Sequence, residues 1–306
     1  MPVNRTDIPY HLEKGLRTIF FDEFKKEDLT GWDRIVTTIP SDQKTETYAW
    51  LGSTPSMREW VSERMPKALR ENAYTLENKK FEASIAVSRE AIEDDQYGQI
   101  KIRTLQLAEA ARYFRAERTY EVLVAGTGST YGLCYDGQCF FDTDHSEGNS
   151  GTQSNDGTST LTTASLSATR AAMARFKDDQ GKSMGIIGDT LIVPPELEAT
   201  ALEITGAELV ARYTASGTDQ MPMMNIHRGR YNVITTPTIT DVDSWYLTCT
   251  SRVTKPLIFQ DRVPVEFGAM EGTSDAGFMR DEYVYGVRTR FAVGYGDWRL
   301  AYVNIP

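Results

Sequence analysis

The sequence is poor in the residues that most enzymes and extracellular scaffolds depend on. It contains only three cysteines and three histidines among 306 residues. An odd and sparse set of cysteines does not fit a disulfide framework, so reduced thiols are expected. Scarce imidazole weighs against general acid–base catalysis, for which histidine is the side chain used most often. We therefore expect a protein that is not an enzyme and that has no cofactor.

Long hydrophobic runs and an excess of basic residues are also missing. No apolar stretch approaches the roughly 18 residues that cross a bilayer, and residues 1–7 lack the apolar segment of a secretory signal. The 33 lysines and arginines are outnumbered by 43 aspartates and glutamates, which gives a formal net charge of −10. Such a charge disfavours a protein whose main role is to bind nucleic acid. We expect a folded protein that is made in a cytosol and has no membrane partner.

The N-terminal third contains amphipathic segments that are too small to be stable alone. Residues 73–77 and 81–87 predict two short strands of one hairpin, with Lys79 and Lys80 at its tip. A lone two-stranded hairpin is marginal in water, so we expect the body or another copy of the chain to cover it. Residues 56–69, which include Trp60, predict a short helix. A longer N-terminal helix, ending before Gly31, is predicted by an apolar stripe: Leu12, Leu16, Ile19, Phe20 and Phe24.

The remaining two thirds predict an α+β fold. One long helix is expected over 99–125, and two short strands are expected on either side of a turn at Gly137. Residues 146–160 are almost all polar and predict an exposed loop. An α/β unit over about 165–205 and a strand-rich C-terminal third follow. Helix, then mixed structure, then strands is typical of the α+β class.

Four residues around the Gly137 turn form the main candidate for a chemical site. Cys134, Cys139, Asp142 and His145 combine soft and hard donors that zinc accepts. The same pattern is typical of a polar loop whose carboxylates accept backbone N–H bonds, and structural zinc usually recruits a second donor pair. We therefore predict no metal site, with a small metallohydrolase as a minor alternative. The glycines of 126–132 and 181–183 lack the spacing of nucleotide-binding loops.

Ten short strings, in order along nearly the whole chain, carry a resemblance to a known family. The chain resembles the major head subunits of Mu-like phages, which have the Hong Kong 97-type capsid fold. The strings are YAWLG (48–52), MREW (57–60), ENKKFE (77–82), IEDD (92–95), FDTDH (141–145), LIVPP (191–195), DSWYL (243–247), PLI (256–258), YGVR (285–288) and GYG (294–296).

The resemblance implies a division of the chain into the parts of that fold. These parts are an N-terminal arm over 1–45, an extended E-loop hairpin region over 46–96, the long spine helix of the P-domain over 97–130, a central A-domain over 131–250 and P-domain return strands over 251–306. Candidate contacts between subunits are Lys79, Lys80, Phe81, Leu16, Phe20 and Trp60.

The resemblance also implies a structural role. Copies of the chain would form the hexamers and pentamers of an icosahedral shell that encloses packaged double-stranded DNA, in the virion capsid. The implied partners are a scaffold, a maturation protease, a portal protein and possible decoration proteins, with DNA contacted without sequence specificity. The alternative is an encapsulin-like compartment shell, which shares the fold and encloses an enzyme.

Overall fold

The computed structural model describes residues 8–26, 28, 30–48, 74–88, 90, 97–213, 220–270 and 282–306. Its helices are α1 (Ile8–Phe24), α2 (Tyr97–Val124), α3 (Thr163–Ala174) and α4 (Glu198–Gly206). The predicted N-terminal helix and the long helix over 99–125 are both confirmed. Helix α3 begins where Thr162 and Ser165 each accept a hydrogen bond from the other's backbone N–H, an arrangement that satisfies two otherwise unpaired donors.

The strands form two main sheets and two small ribbons. The strands are β1 (Val36–Pro40), β2 (Thr45–Tyr48), β3 (Tyr74–Glu77), β4 (Lys79–Ser88), β5 (Asp156–Gly157), β6 (Thr190–Val193), β7 (Leu209–Tyr213), β8 (Gln220–Met224), β9 (Asn232–Thr235), β10 (Trp245–Thr248), β11 (Leu257–Met270), β12 (Glu282–Tyr295) and β13 (Ala301–Asn304). The described helices and strands together confirm the α+β class.

The first sheet is long and is covered on one face by helices. Its strand order is β1-β11-β12-β4, and β11 and β12 are antiparallel strands of 14 residues each. Alternate residues of β12, among them Tyr283, Tyr285 and Val287, are buried, as a strand with one covered face requires. Helices α1 and α2 pack over this face. The sheet and its two helices therefore form one two-layer unit.

The second sheet forms the compact part of the molecule. Its order is β5-β13-β10-β6-β9, and every residue of the central strands β6 and β10 is buried. The predicted strand Thr190–Val193, the helical segment opened by Pro195 and the C-terminal strands are confirmed. Buried rings of Trp245, Tyr246 and Trp298 fill its core. Most of the large buried cluster lies here and at the adjoining end of the first sheet.

The predicted hairpin between 73–77 and 81–87 is wrong. Strand β3 pairs with β2, whereas β4 pairs with β12 over ten residues, from Lys79 opposite Phe291 to Ser88 opposite Glu282. Buried Asn78 separates the two strands and bonds to Ser41 and Gln43. A short-range hairpin signal was therefore overridden by pairing with strands that are distant in sequence. Lys79 and Lys80 begin an edge strand and do not occupy a hairpin tip.

The prediction that residues 146–160 form a wholly exposed loop is also wrong. Asn155 is fully buried; its amide nitrogen donates to Phe140 O at 2.9 Å, and its oxygen accepts from Asp142 N at 2.9 Å. Glu147 is buried as well, and β5 pairs with β13. Polar side chains here satisfy buried backbone groups, a role that composition does not indicate. The turn at Gly137 is present with φ +88°, but no strands flank it within 128–155.

The N-terminal helix buries part of its apolar stripe within its own chain. Leu16 and Phe20 are fully buried, and the Phe20 ring lies 5.2 Å from the ring of Phe267 on β11. Arg112 on α2 also donates to the backbone oxygen of Glu23. The apolar stripe that the sequence shows is therefore used within the chain.

Replacing Phe20 by Ala should lower the free energy of unfolding by about 3–5 kcal/mol, because a fully buried ring is lost and a cavity is left. Urea denaturation of the unassembled chain measures this. Asp22→Ala, an exposed position on the same helix, should change the free energy by less than about 0.5 kcal/mol. Equal effects of the two substitutions would show that α1 does not pack on the sheet.

Candidate assembly surfaces

A small two-stranded ribbon brings two distant points of the chain together. Strands β2 and β3 pair from Thr45 opposite Glu77 to Tyr48 opposite Tyr74. The chain therefore leaves the described body after Tyr48 and re-enters it at Tyr74, at neighbouring positions. We call this ribbon the stem of segment 49–73.

The stem is fixed to the body by two buried tyrosines. Tyr48 donates from its hydroxyl to Gln260 Oε1 at 2.8 Å, and burial raises the pKa of Tyr48 to about 12. The hydroxyl of Tyr74 accepts a hydrogen bond from Tyr295 N at 2.8 Å. A side chain at Gly294 would collide with Tyr74 and Leu76, so the glycine permits this close approach. The two tyrosines therefore fix the ribbon against the first sheet.

The candidate contact residues fall into four groups. Lys79 and Lys80 are exposed on the edge strand β4. Phe81 is half-buried, with its ring 5.0 Å from Phe114 and 4.7 Å from Phe291. Trp60 lies outside the described residues. Leu16 and Phe20 are buried within their own chain, as described above, so they are not exposed for a contact in this conformation.

A second ribbon exposes large apolar side chains that the sequence analysis did not single out. Strands β7 and β8 pair with each other and with no other described strand. Leu209 and Met224 stand opposite each other and are 58% and 81% exposed; Met223 and Ile226 are about half exposed. Isolated two-stranded ribbons are marginal in water, and clustered exposed apolar residues mark interaction sites. The β7–β8 ribbon is therefore a surface suited to association.

The structure gives other contacts to most of the four zinc candidates, Cys134, Cys139, Asp142 and His145. His145 is fully buried, and its Nδ1 lies 2.6 Å from Asp136 Oδ2. Asp142 accepts hydrogen bonds from the N–H groups of Thr143 and Asp144. Burial raises the pKa of the Cys134 thiol well above its ordinary value, which disfavours the thiolate that zinc needs. Among the described residues, no group of three or more such side chains is placed to hold a metal ion.

His145 instead belongs to a buried polar network. Its ring stacks on Trp298 with centroids 4.0 Å apart. The neighbouring Arg299 is almost fully buried and forms two hydrogen bonds, of 2.8 and 2.9 Å, with the Asp297 carboxylate; Glu147 lies 3.5 Å away. Burial acts to lower the pKa of Arg299, but the charge of Asp297 raises it above its ordinary value. The network joins the polar loop to the C-terminal strand, and no sequence motif indicates it.

No helix in the described ranges is both long and apolar enough to cross a membrane.

The fold and these surfaces define a class: a protein with the Hong Kong 97-type capsid fold. The family model described as "Mu-like prophage major head subunit gpT" matches residues 10–160, 156–239 and 232–305. The chain therefore belongs to the Mu-like prophage major head subunit gpT family, as the resemblance of the sequence strings implied.

Individual relatives agree with this assignment. The chain is 28% identical over 272 residues to the major head subunit of Mu-like prophage FluMu of Haemophilus influenzae, covering 89% of this chain and 65% of that protein. It is 26% identical over 292 residues to the major capsid protein of Escherichia phage Mu, covering 94% and 72%. A chain of the bacteriophage JBD30 procapsid superposes with a TM-score of 0.57 at 28% identity, covering 97% and 75%. The chain spans just under two thirds of the FluMu protein.

Replacing Arg299 by Met should lower the free energy of unfolding by about 3–5 kcal/mol, because the Asp297 and Glu147 carboxylates lose their partner inside the protein. Thermal and urea unfolding measure this loss. Arg230→Met, at an exposed position, is the matched control and should be nearly neutral. Combining Arg299→Met with Glu147→Leu should recover part of the loss; an Arg299→Met variant as stable as the control would contradict the role of the network.

Chelation should leave the protein unchanged, because no group of three or more candidate ligands among the described residues is placed to hold a metal ion. Elemental analysis of the purified chain should find no stoichiometric zinc, and EDTA should not move the unfolding midpoint. Cys139→Ala should match the wild type in both measurements. Zinc at one equivalent that disappears in Cys139→Ala would restore the metallohydrolase hypothesis.

Proposed function

We propose that this chain is the structural subunit of a phage or prophage head, which assembles with other copies into an icosahedral shell of hexamers and pentamers around packaged double-stranded DNA. The observation that carries the proposal is the family match over residues 10–305, joined to a capsid-type fold over nearly the whole chain. A role in structure and not in catalysis agrees with the use of His145 and Arg299 in buried packing.

The division of the chain follows from the same proposal. Residues 1–45 act as the N-terminal arm, 46–96 as the E-loop region, 97–130 as the P-domain spine helix, 131–250 as the A-domain and 251–306 as P-domain return strands. Helix α2 and the sheet of β11, β12 and β4 suit the P-domain, and the second sheet with α3 and α4 suits most of the A-domain. Because β2 pairs with β3, we place the stem of the E-loop in that ribbon and not between β3 and β4.

Contacts between copies are assigned to the surfaces that the body leaves uncovered. These surfaces are the exposed apolar β7–β8 ribbon and the edge strand β4 with Lys79 and Lys80. Trp60, which lies outside the described residues, stays a candidate from the sequence alone. An exposed strand edge offers unpaired backbone groups to another chain, and exposed Leu209 and Met224 offer apolar area. Phe81 is half-buried, so only the exposed part of its side chain can contribute to a contact between copies.

The further partners follow from the role of a head subunit. A scaffold, a maturation protease and a portal protein act on or join the assembling shell, decoration proteins bind its exterior, and DNA is contacted without sequence specificity. Synthesis takes place in the cytoplasm of the bacterial host, and the mature site is the virion capsid. A net charge of −10 suits a container that must not hold DNA tightly.

An encapsulin-like compartment is the second candidate, because it shares the fold. The family match favours the phage head, and so do the two relatives, which are named as a head subunit and a major capsid protein. Mass spectrometry of purified particles separates the two: a stoichiometric cargo enzyme without a portal would support the compartment.

Assembly of the purified chain, alone and with its scaffold, is the test of the proposed function. Electron microscopy and light scattering should show capsomers or closed shells. A chain that stays monomeric under all these conditions would contradict the proposal.

Met224→Lys should weaken assembly without unfolding the subunit. Burial of a methionine side chain contributes about 1.5–3 kcal/mol, so the association constant of each lost contact should fall roughly 10- to 100-fold. Light scattering against protein concentration measures the shift. Val253→Lys changes an apolar residue that is 95% exposed outside the ribbon and should assemble like the wild type; equal behaviour of the two variants would remove the β7–β8 ribbon from the interface.

A further inference from the structure

A cavity of about 690 Å³ lies where the N-terminal helix, the long helix and the second sheet meet. Its walls come from the end of α1, the turn at 30–34, the middle of α2, the start of α4 and strand β9. Gly31, at φ +65°, lets the turn approach β9: an added Cβ would lie 3.0 Å from Ile234 Cδ1. The cavity is therefore formed by elements that are packed together and does not depend on one loop.

Three arginines line this cavity. Arg34 belongs to the turn, and Arg112 and Arg115 lie three residues apart on α2, a spacing that places them on neighbouring parts of one helix surface. Within the described residues, no carboxylate oxygen lies within 4 Å of any of the three guanidinium groups. Lys26 also lines the cavity, but it is paired with Glu23 at 2.6 Å.

Arg115 is the least satisfied of the three. Its Nε is buried and has no hydrogen-bond partner. The guanidinium carbon lies 5.6–6.0 Å from the ring centroids of Phe24, Phe259 and Phe291. Burial lowers the pKa of Arg115 from its ordinary value, and the charge of Asp261, which is not within ion-pair distance, offsets only part of this effect. Arginine nonetheless stays charged in proteins, and aromatic faces replace only part of the lost hydration. A cation in this setting gains most from an anion that enters the cavity.

The acidic residues of the cavity do not neutralise the arginines. The Asp28 carboxylate accepts hydrogen bonds from Thr30 N, Thr30 Oγ1 and Trp32 Nε1, at 2.9, 2.6 and 2.8 Å. Asp33 and Glu198 are exposed. Arg34 is exposed as well, and the four cations of the lining, Lys26 and the three arginines, outnumber its three carboxylates. The lining therefore carries a net positive charge.

We propose that this cavity is an oxyanion site that binds one phosphate group through Arg34, Arg112 and Arg115. A phosphate offers more acceptor oxygens than a carboxylate, and guanidinium groups match its geometry with paired N–H donors. The source of the group is free phosphate or an exposed phosphate of a nucleic acid, which present the same chemistry. The site is separate from the surfaces assigned to assembly. An experiment that finds no phosphate binding would therefore leave the head-subunit proposal intact.

Isothermal titration of the unassembled chain with inorganic phosphate, at constant ionic strength, tests the site. Saturable binding is expected, and Arg112→Gln and Arg34→Gln should each weaken it at least about tenfold, because each removes a charged hydrogen-bond donor. Arg103→Gln, at an exposed position on the same helix, is the matched control and should bind like the wild type. Unfolding midpoints measured in chloride buffer show that each variant is folded.

A short DNA duplex with terminal phosphates, titrated in parallel and followed by fluorescence anisotropy, distinguishes the sources. Duplex binding that is lost in Arg112→Gln assigns the site to nucleic acid, whereas binding of phosphate alone assigns it to the free ion; both outcomes support the site. Absence of saturable phosphate binding, or binding that Arg34→Gln and Arg112→Gln leave unchanged, overturns it. Defective shell formation in Arg112→Gln without phosphate binding also overturns it, in favour of a carboxylate from a second copy.

Discussion

The packing of one long helix along one long antiparallel hairpin is the constraint on which the rest of the structure depends. Helix α2, 28 residues and therefore about 42 Å long, contributes Ile100 and Leu107 to the smaller apolar cluster and Tyr120 and Leu123 to the larger one. No other described helix belongs to both clusters. The helix thus connects the compact second sheet to the far end of β11 and β12, where a two-layer structure could not hold itself together alone.

An elongated subunit of this kind has more surface than its own core can cover. The N-terminal helix uses part of that surface within the chain, through Leu16 and Phe20. The β7–β8 ribbon and the edge of β4 have no cover in the described chain. A shell subunit resolves this imbalance by association, because neighbouring copies remove the exposed apolar area from water.

Buried polar residues, which in other proteins often indicate an active site, have a structural role in this protein. His145, Asp136 and Arg299 are buried charged or titratable groups of the kind found in active sites. Here His145 stacks on Trp298 and pairs with Asp136, and Arg299 pairs with Asp297. Asn155 similarly satisfies backbone groups of two separate segments, 140–142 and 298–301. Such networks favour one arrangement of a loop and a C-terminal strand over others, because any displaced member would leave a buried polar group unpaired.

The sequence by itself determined most local elements: the apolar stripe of α1, the length of α2 and the central strands of the second sheet follow from the hydrophobic pattern, and the ordered strings carried the resemblance to the family. It did not determine which strands pair, and the hairpin proposed between β3 and β4 failed because backbone hydrogen bonds to β2 and β12 were available from far along the chain. Only the tertiary structure gathered Arg34, Arg112 and Arg115 at one cavity and buried the polar residues near 147 and 155. The hydrophobic periodicity of a segment indicates which of its faces is buried. The strand with which that segment pairs depends on distant parts of the chain, which the local sequence does not encode.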